Sequence, residues 1–488
     1  MTSRPWPVIA VICAACGSTG PGPSIPTPVG GFRPEDRVVI GDFSHVNAIA
    51  STFDRVYVVY PTAIATWYPV ERRWDLPVTP EFADRLSTVT GAVVDPADRS
   101  LWMATPTTWL RYDPFVYGGA SPALPPQALR RPVTVTDAMR DLPQLRALAP
   151  RIATGPGQVQ GIITAAAHDP QGHGWYLGTS TRGLLFMDRM ASDATPIPMG
   201  LSGDVVSAIL PTPDGIWVAT EADPGHPAGV TCLSSDLGTS SPLTGSLIEG
   251  LPFNTVHRFL VTAGPVWMAT DKGIALTSKD HARIERFDIS GGLPDERVMT
   301  LAEQRGQIVA GTLRGLAASP GDSAFRRVAP DFTGPVYALL ARGDTLWVGT
   351  SRGLFASIPG SDDLGMPEGF HQLPGSLVPI MGIGYVSDTL VAMTPDRLLW
   401  RNPASGDWNE GPELSAQLGA LVALDASAQG AWVAGPRGVA FVRPGTNPLR
   451  FLTTPGQLPG EVTTVAMRGP YLWIGTRAGL VRYLLESQ

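Results

Sequence analysis

One phrase recurs along the whole chain: Leu346-Trp347-Val348-Gly349-Thr350-Ser351-Arg352-Gly353-Leu354. Nine further copies, some weaker, are centred on Tyr57, Trp102, Trp175, Trp217, Trp267, Val309, Val391, Trp432 and Trp473. Most neighbouring centres lie about 42 residues apart, and a fixed spacing of this size indicates a repeat architecture. Each copy is a run of apolar, β-branched or aromatic residues that ends at a turn, which is typical of a strand and its hairpin.

A second pattern lies about eleven residues before each centre, where an apolar residue is followed three places later by another, as in Val298/Leu301 and Val336/Leu339. The third residue of each group is small in nine copies, namely Ala48, Gly91, Gly161, Ser207, Thr300, Ala338, Gly382, Ala420 and Thr464. The exception is Arg258. Small side chains are expected on the innermost strand of a β-propeller blade, where packing is most crowded.

The two patterns predict an all-β chain, because four short strands in ~40–45 residues is the size of a propeller blade. We expect a single β-propeller of about ten four-stranded blades (eight to ten) over residues 35–488. The last repeat contains only three predicted strands, at 462–467, 472–476 and 480–484. We expect residues 37–41 to add the fourth strand, which closes the ring and leaves no exposed sheet edge.

The repeat resembles a known family. Gly292-Leu293-Pro294 precedes the unit from Val298 to Leu316, and Gln457-Leu458-Pro459 and Gly250-Leu251-Pro252 precede similar units. This order is similar to the two-component-regulator propeller repeats, and the resemblance covers nearly the whole chain after the first thirty residues. It implies a propeller that, in that family, is the periplasmic sensing part of a membrane-bound histidine kinase. Since the last repeat runs to Gln488, we expect a stand-alone propeller without a kinase.

Composition and charge narrow the function. With 43% apolar and 16% charged residues, the chain is expected to fold around a large core. A net charge of −7 argues against general nucleic-acid binding, which needs a basic surplus.

The N-terminus is predicted to be an export signal over residues 1–15. Arg4 precedes a short apolar stretch that ends at Cys16, which is too short to span a bilayer as a helix. The segment resembles a bacterial lipoprotein signal, so we expect lipidation of Cys16, and Gly17 favours the outer membrane. A plain secretory signal, or neither, is the alternative. Residues 16–34 are rich in Gly and Pro and are predicted to be a tether.

An insertion is predicted at about 117–158, where neighbouring repeats are spaced more widely. Thr136-Asp137, followed by Leu142 and Leu145, indicates a short helix with a polar N-cap, although Pro143 limits where it begins. Two interpretations stay open for this segment: surface decoration, or a docking element for a protein partner.

Two groups of residues are candidate binding sites. Cations recur just before the turn glycine on one predicted rim, at Arg182, Lys272, Arg314, Arg352 and Arg437. They form either a partial positive ring for an anionic ligand or ordinary hairpin chemistry. Acidic residues on the same face, among them Asp295 and Glu461, are placed to neutralise such a ring. The second group is His257 and Arg258, on a predicted inner strand beside the central channel.

The motifs that would indicate catalysis are missing from the sequence: it has no zinc-protease, nucleophile-elbow, phosphate-loop or EF-hand pattern. We therefore expect no cofactor and no metal. The favoured function is a non-catalytic, membrane-tethered propeller that binds or scaffolds a protein or an anionic glycan in the periplasm or cell envelope. The alternatives are a ligand-sensing propeller of a signalling system and a propeller-type lyase or hydrolase.

Overall fold

The computed structural model describes residues 36–115, 118–123, 125, 131–146, 162–191, 193–222, 228–243, 253–262, 265–277, 284–320, 324–328, 334–357, 370–373 and 377–485. The predicted signal at 1–15, the tether at 16–34 with Cys16, and most of the insertion lie outside these residues. The described chain is all-β, as predicted, with ten four-stranded antiparallel sheets. It also contains two short α-helices, α1 (Val135–Asp141) and α2 (Ser415–Leu418), and two 3₁₀ helices, Ala83–Thr88 and Ile289–Gly291.

The sheets follow one another along the chain, and we number them 1 to 10. Sheet 1 contains β2 (Ala48–Ser51), β3 (Val56–Val59), β4 (Ile64–Tyr68) and β5 (Arg73–Trp74). Sheet 2 contains β6 (Gly91–Val94), β7 (Leu101–Ala104), β8 (Trp109–Asp113) and β9 (Gly118–Ala123). Sheet 3 contains β10 (Ile163–His168), β11 (Gly174–Thr179), β12 (Leu184–Asp188) and β13 (Thr195–Ile197). Sheet 4 contains β14 (Val206–Pro211), β15 (Gly215–Thr220), β16 (Gly229–Ser234) and β17 (Ser240–Pro242). Sheet 5 contains β18 (Val256–Val261), β19 (Val266–Thr270), β20 (Gly273–Thr277) and β21 (Ile284–Phe287).

The second half continues the same plan. Sheet 6 contains β22 (Val298–Gln304), β23 (Gln307–Thr312), β24 (Gly315–Ser319) and β25 (Arg326–Val328). Sheet 7 contains β26 (Val336–Arg342), β27 (Thr345–Thr350), β28 (Gly353–Ser357) and β29 (Phe370–Gln372). Sheet 8 contains β30 (Gly382–Val386), β31 (Thr389–Met393), β32 (Arg397–Arg401) and β33 (Trp408–Glu413). Sheet 9 contains β34 (Ala423–Ser427), β35 (Gly430–Gly435), β36 (Gly438–Val442) and β37 (Arg450–Thr453). Sheet 10 contains β38 (Val462–Arg468), β39 (Tyr471–Thr476), β40 (Gly479–Leu484) and β1 (Arg37–Ile40).

The N-terminal strand completes the last sheet, as predicted. β1 pairs antiparallel with β40, from Arg37 opposite Tyr483 to Ile40 opposite Leu480. The outer edge of β40 is thereby covered, and the two ends of the described chain are joined by backbone hydrogen bonds.

The recurring Gly-Thr-x-x-Gly phrase forms the turn between the second and third strands of a sheet. In sheet 7 the buried hydroxyl of Thr350 donates to the carbonyl of Gly353 (2.9 Å) and accepts from the backbone N–H of Arg352 (3.0 Å). Gly353 has φ +119°, a conformation that disfavours any residue with a Cβ. The phrase therefore recurs because threonine satisfies the turn's polar groups and glycine permits its backbone.

Seven sheets follow one another in a cycle. Among the described residues, the inner strands β14, β18, β22, β26, β30, β34 and β38 contact one another in this order, and β38 also contacts β14. Equivalent backbone hydrogen bonds join neighbouring sheets of the cycle. The N–H of Gly273 in sheet 5 donates to the carbonyl of Glu296, just before sheet 6 (2.6 Å), and the N–H of Gly479 in sheet 10 donates to the carbonyl of Asp204, just before sheet 4 (2.7 Å). The expectation that all ten sheets share one ring is corrected by this contact pattern.

Sheets 1 to 3 form a separate unit beside the cycle. The N–H of Gly183 in sheet 3 donates to Ser44 ahead of sheet 1 (2.6 Å), the same bond that joins sheets 5 and 6, and sheet 1 contacts sheet 2. The ends of this unit meet, because Asp42 and Gly200 form an isolated antiparallel bridge. The three sheets are therefore inserted between β1 and sheet 4. An apolar core that includes Phe43, Tyr60, Leu201 and Trp473 joins them to sheets 4 and 10.

Part of the predicted insertion covers the three-sheet unit. Its helix is present as α1, with Thr134 as N-cap and Asp137 completing a capping box, and Pro143 follows the helix instead of limiting its start. Leu142 and Leu145 pack with Trp175 against sheet 3, and the indole N–H of Trp175 donates to Asp141 of α1 (2.8 Å). Residues 131–146 of the insertion therefore cover sheet 3, whereas Gly118–Ala123, predicted as the start of the insertion, form β9 of sheet 2.

Candidate functional site

A channel lies at the centre of the seven-sheet cycle. Its cavity has a volume of about 230 Å³ and is lined by residues of all seven inner strands or the residues just before them, among them Ser207, His257, Met299, Tyr337, Gly382, Leu424 and Thr463. The channel therefore receives side chains from every sheet of the cycle and none from sheets 1 to 3.

A bulge near the start of the inner strand selects which residue points into the channel. In sheet 5 the register shifts between Val256 and Arg258, and His257 lies at the shift. In four other sheets of the cycle the pairing register of the first two strands shifts at the same place. The residues at the shift are Ser207, Met299, Tyr337 and Thr463. All five line the channel. A bulge redirects a side chain in this way, and the sequence patterns did not reveal it.

Arg258, the exception among the small residues, lines the channel. It is opposite Ala269, just as Thr300 is opposite Gly311 in sheet 6. Water inside the channel reaches its side chain, but the surrounding strands separate it from bulk solvent, and this desolvation lowers the pKa of the guanidinium. The negative charge of Asp425 opposes the shift. In the part of the chain that the structure describes, Arg258 makes no hydrogen bond and no ion pair within 4.0 Å.

Asp425, on β34, is the residue that the sequence analysis missed. Desolvation raises the pKa of its carboxyl to about 6, although the backbone N–H of Met467 and the charge of Arg258 both favour the ionised form. The Met467 N–H donates to Asp425 Oδ2 at 2.5 Å. A charged residue inside the apolar segment from Leu421 to Ala426 is the signal that could have identified it.

His257 and Glu221 lie in the same channel. Desolvation lowers the pKa of His257; Asp271 opposes the shift and Arg297 adds to it. The imidazole is therefore mostly neutral at pH 7. Asp271 itself accepts the backbone N–H groups of Asn254 (2.9 Å) and Thr255 (3.2 Å), which hold this segment beside the channel.

The predicted rim cations occupy turns between the second and third strands, but they do not form one ring. Arg182 belongs to sheet 3, outside the cycle, whereas Lys272, Arg314, Arg352 and Arg437 belong to sheets 5, 6, 7 and 9. Several cations of these turns have partners. Arg314 lies 3.3 Å from Asp295, and Arg437 donates to the carbonyls of Ser415 and Ala416 at 2.8 and 2.9 Å. Arg477 lies 3.6 Å from Glu461. Acidic residues and carbonyls therefore take up part of the rim's charge.

The rim turns and the channel opening share one end of the cycle. Gly273 and Gly479, in these turns, bond to residues two places before the next inner strand begins. The bulged residues, which include His257, lie at the same beginnings of the inner strands. A ligand that approaches this end would meet both candidate sites.

The described residues were also compared with the requirements of a metal site and of a membrane-spanning helix. No group of three or more His, Cys, Asp or Glu side chains there is arranged to hold a metal ion. No described helix is both long and apolar enough to cross a membrane.

No family model matches the chain, and no curated protein matches it. Several solved structures are similar in fold to this chain. The extracellular domain of a hybrid two-component system from B. thetaiotaomicron is 11% identical (TM-score 0.44; 91% of this chain, 70% of that chain). PorZ, a surface component of the type-IX secretion system of Porphyromonas gingivalis, is 12% identical (TM-score 0.49; 90% and 68%). The WD40 β-propeller domain of Doa1 is 12% identical (TM-score 0.44; 58% and 95%). These are similarities of fold, and the resemblance to two-component-regulator repeats stays an interpretation of the sequence.

Proposed function

We propose that sheets 4 to 10 form a closed seven-bladed propeller and that the protein is a non-catalytic binding scaffold of the bacterial envelope. A lipid at Cys16 would hold it at the membrane, and the outer membrane is favoured. Its partner is a protein or an anionic glycan, and it needs no cofactor. One observation carries the binding role: the fold places the cation-bearing turns and the opening of the channel that contains His257 and Arg258 at the same end of the cycle.

A rigid ring suits this role. In sheets 5, 6, 7 and 10 the turn is fixed by a buried threonine and a glycine, so the side chains in these turns are presented at repeated positions. Arg314 has a side chain that is 76% exposed although it lies near Asp295. An incoming carboxylate or sulfate can therefore reach it without disturbing the core.

Affinity capture tests the proposal. The full chain is immobilised and incubated with detergent-solubilised envelope membranes, and the bound proteins and glycans are identified by mass spectrometry. Reversing two rim charges together, with Arg314→Glu and Arg352→Glu, should lower capture about 5- to 10-fold, since an exposed ionic contact contributes about 0.2–1 kcal/mol. Capture should also fall as salt rises toward ~0.5 M, where the Debye length is roughly 4–5 Å.

The matched control is Arg140→Glu, which reverses an exposed cation on α1 whose side chain is 73% exposed. It should capture like the wild type. If the double variant also captures like the wild type, the rim is not the binding face. If no envelope component is captured at any salt concentration, the scaffold role is refuted.

One observation favours the lyase or hydrolase alternative: a largely neutral His257 and Glu221 line the same channel, where an acid and a base would be needed. A catalytic pair predicts that His257→Ala and Glu221→Gln abolish chemical turnover of a captured ligand and leave its capture intact. The binding role predicts no turnover by the wild type.

A further inference from the structure

We propose that the channel binds the carboxylate of a small organic acid through the guanidinium of Arg258. This proposal rests on the proposed binding function, in which the end of the cycle with the channel opening is the binding face. It adds the class of ligand and the residue that recognises that ligand.

The register of the inner strands places Arg258 where its neighbours leave space. The equivalent residues are Ala208 in sheet 4, Thr300 in sheet 6, Ala338 in sheet 7 and Thr464 in sheet 10, each opposite a glycine or alanine of the second strand. Side chains of this size leave the middle of the cycle open, and one long side chain enters that opening. Arg258 is therefore the one long side chain among these five equivalent positions, while the larger Met299 and Tyr337, at the bulge, line the same cavity.

The donors of Arg258 have no protein partner there. A guanidinium carries five N–H groups, and in the described chain none of them reaches an acceptor of the protein. A cation away from bulk water is costly unless it is paired. The planar fork of arginine matches the two oxygens of a carboxylate. The carboxylate of a ligand would supply the hydrogen-bond acceptors and the negative charge that the described protein does not place beside Arg258.

The size and lining of the channel select a small polar acid. About 230 Å³ is below the ~300–1,000 Å³ of pockets for drug-sized ligands. Hydroxyl groups of Thr300, Tyr337 and Thr464 line the same space and suit hydroxyl or carbonyl groups of the bound acid. A single arginine favours a single carboxylate over a polyanion.

Asp425 competes with the ligand for Arg258. It acts on Arg258 through charge, from the opposite side of the cycle, and makes no ion pair with it within 4.0 Å. Arg258 and the N–H of Met467 are the groups that act on Asp425. The other ionisable residues that line the channel with Arg258 are Glu221, His257 and Tyr337. Protonation of Asp425 removes the negative charge that acts on Arg258. We therefore expect the acid to bind more tightly at pH 6 than at pH 8.

Calorimetric titration of the full chain with acetate and with succinate, at pH 6 and pH 8, tests the proposal, with acetamide as the uncharged match. The wild type should bind an acid and not acetamide. Arg258→Met should lower the affinity at least tenfold, and Arg258→Lys should restore part of it. Asp425→Asn should raise the affinity at pH 8 and abolish its pH dependence. Arg140→Met, on α1, should change nothing.

The absence of binding by the wild type up to about 20 mM of either acid would overturn the proposal. Equal affinities of the wild type and Arg258→Met would also overturn it. If Arg258→Met does not fold, the pH dependence of the wild type and its loss in Asp425→Asn decide. Acid binding without capture of any envelope component would refute the scaffold role alone, and capture without acid binding would refute the channel site alone.

Discussion

Replacing Asp425 with Asn should stabilise the folded protein at neutral pH and leave it unchanged near pH 4. The carboxyl has a pKa of about 6 in the fold against 3.8 for the free side chain, because burial removes it from bulk water. Its proton is thus held more tightly in the folded state. The associated stability is fully present below pH 3.8 and is lost as the pH rises through about 6. Asn avoids this loss and can still accept the N–H of Met467.

The magnitude follows from the two pKa values. The gap between 3.8 and about 6, at about 1.4 kcal/mol for each pKa unit, corresponds to about 3 kcal/mol. Because Asp425 keeps part of its surface exposed, we expect about 1–3 kcal/mol at pH 8. For a ring of roughly 290 residues, with an unfolding entropy of about 2.1 cal/mol/K per residue, this raises Tm by about 2–5 °C.

Thermal unfolding of both proteins, followed by circular dichroism from pH 4.5 to pH 8, measures the effect. Asp344→Asn is the control, since that side chain is 74% exposed and should give a pH-independent difference near zero. A Tm of Asp425→Asn that stays at the wild-type value at pH 8 would refute the reasoning. The same rise at pH 4.5 and pH 8 would refute it too, because it would show an effect unrelated to ionisation.

The remaining predictions concern the anchor, the turns and the cover. Cys16→Ser should move the protein from the membrane fraction to the soluble fraction without changing its Tm; unchanged fractionation contradicts lipidation. Gly273→Ala should cost about 3 kcal/mol or more of unfolding free energy in denaturant titrations, since a Cβ there would lie 2.1 Å from the carbonyl oxygen of Phe287. Gly306→Ala, also at positive φ but with open space around the Cβ, should cost only about 1 kcal/mol, and equal costs would exclude the clash. Leu145→Ala, at a fully buried position of the cover, should cost about 2–5 kcal/mol and speed proteolysis of sheet 3; an unchanged cleavage rate would mean that α1 does not protect it.

Much of the fold was predictable because its signals are local. Strand composition recurs in each repeat, and many repeats end the second strand at a Gly-Thr or Ala-Thr turn, so the four-stranded sheets could be located from spacing. The fourth strand of sheet 10 was predictable because three strands were present where four were needed and residues 37–41 had strand composition. The helix of the insertion was predicted from the polar pair Thr136-Asp137, although its N-cap is Thr134, two residues earlier.

The order of the sheets in space could not be predicted, and the reason is physical. The bond from Gly183 to Ser44 joins sheet 3 to sheet 1, and the equivalent bond from Gly273 to Glu296 joins sheet 5 to sheet 6. Both bonds are donated by the backbone of the same turn glycine, so the sequence of one repeat does not indicate which repeat packs beside it.

The candidate site was predicted in part. Arg258 stood out because it broke a rule obeyed at nine other positions, and the structure places it in the channel. In sheet 9 the pattern was misplaced: Leu418 belongs to α2, and the inner strand begins only at Ala423. Asp425 was missed for this reason, since its strand had been placed a few residues too early. The rim prediction located the turns correctly but could not show that Arg182 belongs to a different group of sheets.

The pairing of β1 with β40 sets an order of events during synthesis. β1 leaves the ribosome before any sheet of the cycle, and its partner β40 leaves it only after the other strands of the cycle. Until residue 484 has been made, the ring lacks its closing sheet, and β1 has no native strand beside it. The contact spans almost the whole chain, which slows folding and exposes strand edges in the meantime. A nascent chain should therefore depend on chaperones or an unfolded export route. Removing β40 should be far more damaging than the loss of a single strand suggests.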